Sequence, residues 1–179
     1  DGLWAEVSHY GYPAGFTSQK YLPGRGRANH RRSIYTAWKR TSPPPTMAIF
    51  DAPSREICSV RRLNTNTPLQ ALVLQNDPQF LEAARALGEI MAGAGNAKRG
   101  VALGVTRVLG RSPTRTELKV LSLAHARYAR SFETRPRDAK ALLSVGERQL
   151  AGDVKVVDLA AWTLVASTLL NMDEAVTRQ

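Results

Sequence analysis

The sequence predicts an all-α protein, an irregular bundle of five or six helices behind a loop-rich N-terminal arm crowded with Pro, Gly and Arg. Three observations carry that prediction. From Thr67 onward, apolar residues recur at spacings of three and four, the period of one helix face. Proline stands directly behind a capping residue at Thr67-Pro68 and Asp77-Pro78, where a missing N–H does no harm. Residues 1–66, by contrast, show little helical periodicity. The expected organisation is an irregular basic arm, 1–66, packed on a helical bundle, 67–179, as one domain from a larger protein.

In the arm, Gly11, Gly15, Gly24, Gly26, Pro13 and Pro23 punctuate the first thirty residues as loop. Arg32–Lys39 reads as a short helix or a strand. Pro43-Pro44-Pro45 predicts extended polyproline II. Pro53-Ser54-Arg55-Glu56 reads as the start of a short helix over 54–62. In the bundle, Thr67 caps a first helix over 69–75, and Asp77-Pro78 opens a second over 78–92. That second helix sets Phe80, Leu81, Ala84, Leu87, Ile90 and Met91 on one face.

Gly93 to Asn96 ends it, and a helix over 97–109 follows, stopped by Gly110. Ser112-Pro113-Thr114 starts a long helix to about Phe132, with the stripe Leu118, Leu121, His125, Tyr128 and Phe132. Arg135-Pro136 opens another that stops near Gly146. Asp153 or Asp158 leads into a last helix over 159–172, apolar nearly all round and so expected at the centre. The core should draw mainly on Leu81, Leu87, Leu118, Leu121, Trp162 and Leu169, at about 25 cal/mol per Å² of apolar surface removed from water.

A chain of 179 residues with 43% apolar content suffices for one domain with a proper core and argues against intrinsic disorder. No apolar run approaches the roughly 20 residues that cross a bilayer. The opening Asp1-Gly2-Leu3-Trp4 has no methionine and no export signal, so the chain reads as a piece of a longer one. The net charge is +10, and 19 of the 25 basic residues are arginine. Residues 1–62 hold ten of the basic groups against four acidic ones, so an anion site would lie there. The one cysteine, Cys58, forms no internal disulfide and reads as a small buried hydrophobe between Ile57 and Val60.

The best binding cluster is Arg31, Arg32, Tyr35, Trp38, Lys39 and Arg40, with Arg25 and Arg27 just upstream. Arginine forks suit sulfate, phosphate or carboxylate, and the aromatics suit stacking on sugars or bases. Alternatively these arginines pair internally and hold the arm on the bundle. Asp51, Glu56 and Asp77 are the acid/base candidates for an enzyme acting on anionic polysaccharide, a reaction that needs two carboxyls at a set separation. The histidines His9, His30 and His125 have no metal-ligand spacing, and His125 sits on a buried stripe. No serine lies in a Gly-x-Ser-x-Gly elbow, so no catalytic residue is assigned.

The segments RRSIYTAWKRTSPPPTMAIFDAPSREICSVRR (31–62) and NTNTPLQALVLQNDPQFLEAARAL (64–87), with the ending LAAWTLVASTLLNMDEAVTR (159–178), support a family reading. Together they resemble the uncharacterised C-terminal domain of the large planctomycete cytochrome-associated proteins. The resemblance implies an exported, extracytoplasmic parent in which a cytochrome c module and a second uncharacterised domain precede this region. Its partners would be those other domains, with anionic polysaccharide as the alternative; an exported setting disfavours nucleic acid. No cofactor is expected in this chain, and c-type haem would belong to the separate module, because Cys58 alone offers no Cys-x-x-Cys-His attachment. The implied role is structural, orienting a redox or substrate-handling partner.

Overall fold

The computed structural model describes residues 26, 33–35, 45–54, 58–61, 65–147 and 155–177. All regular structure among them is helical, as the sequence predicts. Eight α-helices follow in order: α1 (Pro45–Ile49), α2 (Pro68–Asn76), α3 (Pro78–Ala92), α4 (Ala97–Leu109), α5 (Arg115–Thr134), α6 (Pro136–Leu143), α7 (Val156–Leu170) and α8 (Asp173–Val176). Ser33–Tyr35 forms a single 3-10 turn. The chain divides into two compact units, Asp1–Gln70 and Ala71–Gln179.

The second unit is built around α7. Nine of its fifteen residues are buried, on every side of the helix, which places it at the centre. Lys155 stands at its N-cap without a side-chain bond, and Asp158 sits inside the first turn, where a carboxylate meets the positive end of the helix. This corrects the expected start at Leu159: Val156 and Val157 already belong to the helix. One core cluster joins Ala84, Met91, Val101, Val105 and Leu121 to Trp162, Val165, Ala166 and Leu169. A second joins Phe132, Ala139 and Leu143 to Leu159, Ala160 and Ala161, where α5 and α6 meet the start of α7.

Close backbone approach sets this packing. A Cβ on Gly88 of α3 would stand 3.0 Å from the Thr163 amide nitrogen of α7. A Cβ on Gly100 of α4 would meet the Met91 carbonyl and the Trp162 ring, each at 2.7 Å. On Gly104 it would reach Met91 Sδ at 2.8 Å and Leu169 Cδ1 at 3.0 Å. Only glycine leaves room for helices this close.

The same approach corrects the expected face of α3. Its buried residues are Ala84, Arg85, Gly88 and Met91, while Ile90 is exposed and Leu81 and Leu87 are only partly buried. Ala84 and Met91 are buried as expected, Gly88 and Arg85 join them, and Leu81 and Leu87 are turned to the flanks. Of the six expected core residues, Leu121, Trp162 and Leu169 are buried, and Leu118 packs on the core edge.

Capping follows the sequence closely. Asp77 accepts the Gln79 amide at 2.8 Å, and Gly110 ends α4 at φ 71°. The long helix begins one residue after Thr114, which forms a reciprocal capping box with Glu117.

Two expectations for the arm are corrected. Pro45 is the first residue of α1 rather than extended, a position that suits its fixed φ and absent N–H; Pro43 and Pro44 lie outside the described residues. The helix expected over 54–62 is not present in its described residues, 54 and 58–61. There Ser59 Oγ donates to the Arg61 carbonyl at 3.0 Å, a local bond that competes with helical pairing.

The glycine contacts give a prediction with an unusual sign. Alanine for glycine in a helix normally stabilises by about 0.5–1 kcal/mol. Gly88→Ala and Gly100→Ala should instead destabilise by about 1–3 kcal/mol in urea melts, because the nearest atoms include backbone that cannot yield alone. Gly93→Ala, whose added Cβ meets nothing nearer than 3.6 Å, should be neutral or slightly stabilising. Equal effects at all three positions would contradict the packing described.

Candidate functional site

In the first unit, the run Thr65-Asn66-Thr67-Pro68-Leu69-Gln70 is organised around Asp51. Asp51 is the one non-glycine residue with positive φ, 57°, among the described residues, a conformation that short polar side chains tolerate. One of its carboxylate oxygens, Oδ2, accepts the Thr65 amide at 2.8 Å, the Thr65 hydroxyl at 2.7 Å and Gln70 Nε2 at 3.5 Å.

Gln70 is 1% exposed and bonded at both ends of its amide. Its Nε2 donates to the Ile49 carbonyl at 2.8 Å and to Thr65 Oγ1 at 3.2 Å, and its Oε1 accepts the Thr67 amide at 3.0 Å. In return Thr67 Oγ1 accepts the Gln70 backbone N–H at 3.3 Å, which completes a capping box at the head of α2. The side chains therefore tie the end of α1 and the αL turn at Asp51 to the start of α2. The Thr-x-x-Gln spacing was the available signal for Gln70, which sequence reasoning passed over in favour of Asp51.

The predicted site residues separate on inspection. Arg31, Arg32, Trp38, Lys39, Arg40 and Glu56 lie outside the described residues, as do Arg25 and Arg27. Tyr35 is 72% exposed in the 3-10 turn, beside Ile34 at 83%. Of the acid/base candidates, Asp51 takes the bonds just described and Asp77 caps α3. Cys58 is exposed, which corrects the expectation of a small buried hydrophobe.

In the second unit, His125 stacks on Trp162 with ring centroids 4.0 Å apart and 29° between planes. Its Nε2 lies 3.1 Å from Asp158 Oδ1, an ion-pair distance, but out of line for a directed hydrogen bond. Ser122, one turn before His125 on α5, has a buried hydroxyl with no hydrogen-bond partner among the described residues. Ser122, His125 and Asp158 therefore do not form a hydrogen-bonded nucleophile–base relay. The ring is held as a packing surface for Trp162, as its stripe position implied.

Two arginines act as fasteners that sequence reasoning did not single out. Arg85 is 2% exposed, and its Nη1 donates to the carbonyl of Leu143, the last residue of α6, where helix geometry leaves carbonyls unpaired. Arg111 uses both edges of its guanidinium. Nη1 and Nη2 bond Glu117 at 3.0 and 2.7 Å, while Nε and Nη2 bond Glu174 at 2.8 and 2.7 Å. Its Nη1 also reaches the Ser112 carbonyl at 3.2 Å. This node ties α8 to the head of α5, and Asn171 Nδ2, at 3.3 Å from the Ala71 carbonyl, secures the same tail to α2. The Leu-Asn-x-Asp-Glu ending is thus a pair of tethers.

Among the described residues an apolar groove of about 690 Å³ lies along α5, closed on one side by Leu164 of α7. Val120 and Leu123 line it at 55% and 61% exposure, with Tyr128 and Phe132 deeper and Arg127 and Arg135 at its rim. Among the described residues no helix is long and apolar enough to cross a membrane.

These bonds give two expected outcomes. Asp51→Ala removes the acceptor of three donors, so hydrogen exchange at the Thr65 and Gln70 amides should accelerate by the equivalent of about 1–3 kcal/mol. Asp51→Asn, which keeps the αL turn and one acceptor oxygen, should show a smaller change, and identical exchange in both variants would contradict the clamp. The Arg111 hydrogen bond, then the Thr114 amide, hold the Glu117 carboxyl down from 4.5 to about 2, and the Arg111 hydrogen bond also lowers Glu174. The stabilisation from this node is therefore fully present above about pH 4.5 and is lost as pH falls towards 2. Glu117→Gln should lower the melting temperature at pH 7 and flatten its decline between pH 4.5 and 2 in calorimetry; an unchanged acid limb would contradict the linkage.

No curated protein and no solved structure matches this chain. A family model does match, over residues 5–124, two thirds of the chain, including the Asp51–Gln70 clamp, the glycine-lined helices α3 and α4, and the first half of α5. On that match the chain belongs to the family described as PSD1, protein of unknown function (DUF1553).

Proposed function

We propose that this chain is a structural and interaction module, the C-terminal part of an exported, cytochrome c-linked multidomain protein, which orients a redox or substrate-handling domain of that protein. One observation carries the reading. The polar side chains of Asp51, Thr65, Thr67 and Gln70 are bonded to one another and to backbone, so they shape a surface rather than present reactive groups. Asp77, Arg85, Arg111, Glu117 and Glu174 follow the same pattern of holding helix ends and tails. The likeness of residues 31–62, 64–87 and 159–178 to the cytochrome-associated planctomycete proteins supports the parent context and its extracytoplasmic location.

The test is reconstitution in trans. The upstream modules of the parent protein, expressed without this region, should bind the chain with a Kd of about 1–100 µM in calorimetry, the range of a docking between domains of one chain. Haem spectra and potential of the cytochrome module should change on binding. No association at that concentration, or turnover of substrate by the chain alone, would contradict the reading.

A further inference from the structure

We infer that the groove along α5 receives an acidic amphipathic helix from the partner domain that this module orients. The inference rests on the interaction-module reading and gives it a surface and a partner chemistry. Val120, Ala124, Tyr128, Ser131 and Arg135 lie three or four residues apart and all line the groove, so they form one ridge along the helix. From Val120 to Arg135 the ridge spans about 22 Å, at 1.5 Å per residue, the length of a four-turn helix. Val120 and Leu123 stay more than half exposed, and Leu164 supplies the opposite wall. An open, elongated apolar trough of this kind suits a helix with apolar residues at i, i+3 or i+4, and i+7.

Charge identifies the sign of the partner. Helices α5 and α6, over 115–143, carry seven basic side chains against three acidic ones. Two of those three are already engaged, Glu117 by Arg111 and Asp138 by Arg135 at 3.6 Å. Arg127 has no bonded partner among the described residues, and Arg135 keeps an exposed head while bonding Ser131 Oγ at 2.6 Å. Arg127 lies on α5 and Arg135 at its C-cap, eight residues further on, about 12 Å of helical rise. Carboxylates two turns apart on a bound helix would meet both. A second copy of the chain would bring the two basic faces together, which like-charge repulsion disfavours.

The experiment selects binders from a displayed library of four-turn helices with a fixed apolar stripe and randomised flanking positions, using the whole chain as bait. The enriched helices should carry Asp or Glu two turns apart. Their affinity should fall about tenfold or more with Leu123→Glu and with Arg127→Glu, and Lys in the peptide should restore binding to Arg127→Glu. Circular dichroism melts of both variants should match the parent chain, since Leu123 is on the surface. No enrichment, neutral or basic flanks, or affinities indifferent to Leu123→Glu would overturn the proposal. Concentration-dependent dimerisation in sedimentation that Leu123→Glu abolishes would assign the groove to a second copy and overturn it too. If Leu123→Glu associates with the upstream modules as the parent chain does, the groove proposal fails and the module reading stands; no association by either chain sinks the module reading.

Discussion

The contact between the backbones of α3 and α7 at Gly88 and Thr163 governs the placement of the second unit's other parts. With the two helices this close, Met91 is carried to the junction, where its carbonyl faces Gly100 and its sulfur faces Gly104. Helix α4 can then lie against Met91 and the Trp162 ring only because it carries glycine at both points. The indole fixed there is the surface on which His125 of α5 stacks. On the same helix Arg85 is buried, and its guanidinium meets the Leu143 carbonyl at the end of α6. A helix end buried with its last carbonyl unpaired would be costly, and the arginine resolves it. Helices α4, α5 and α6 thus take their positions from one small-residue seam.

Much of this architecture was legible in the sequence, because capping is local chemistry. Thr67-Pro68, Asp77-Pro78, Thr114 and Gly110 each act within one turn of themselves, and the helix limits at 78–92 and 97–109 follow from them. The buried face of α3 was legible only in part: Ala84 and Met91 are buried as periodicity implies, but Gly88 sits on the seam because of its size, which hydrophobicity does not weigh. Gly88 and Arg85 score poorly as core residues, yet Ile90 is the exposed one. Pro45 misled for a related reason: a proline run favours extension, but its last member is free to open a helix. At the site, Asp51 drew notice as a carboxylate. Its role depends on Thr65 and Gln70, fourteen and nineteen residues away, and on a backbone turn that residue type alone does not announce.

Across the described residues, polar side chains with long-range bonds hold structural joints: Asp51 the turn before α2, Arg85 the end of α6, Arg111 the tail at α8. Glu82 does the same after α6, accepting the Glu147 amide at 2.8 Å beside Gly146, whose φ is 90°. Each of these joints fixes the elements it connects within its own unit. The family match covers the clamp and the glycines of α3 and α4, while α7, the other side of the seam, lies beyond the matched residues.

The seam itself is open to direct observation by NMR of the chain in solution. The account predicts strong nuclear Overhauser contacts from the Gly88 Hα protons to the Thr163 amide proton, and from the Gly100 Hα protons to the outer edge of the Trp162 ring. Absence of both sets, with Gly88 and Thr163 amides exchanging at the rate of surface residues, would contradict the claim that α3 and α4 are seated on α7 through glycine.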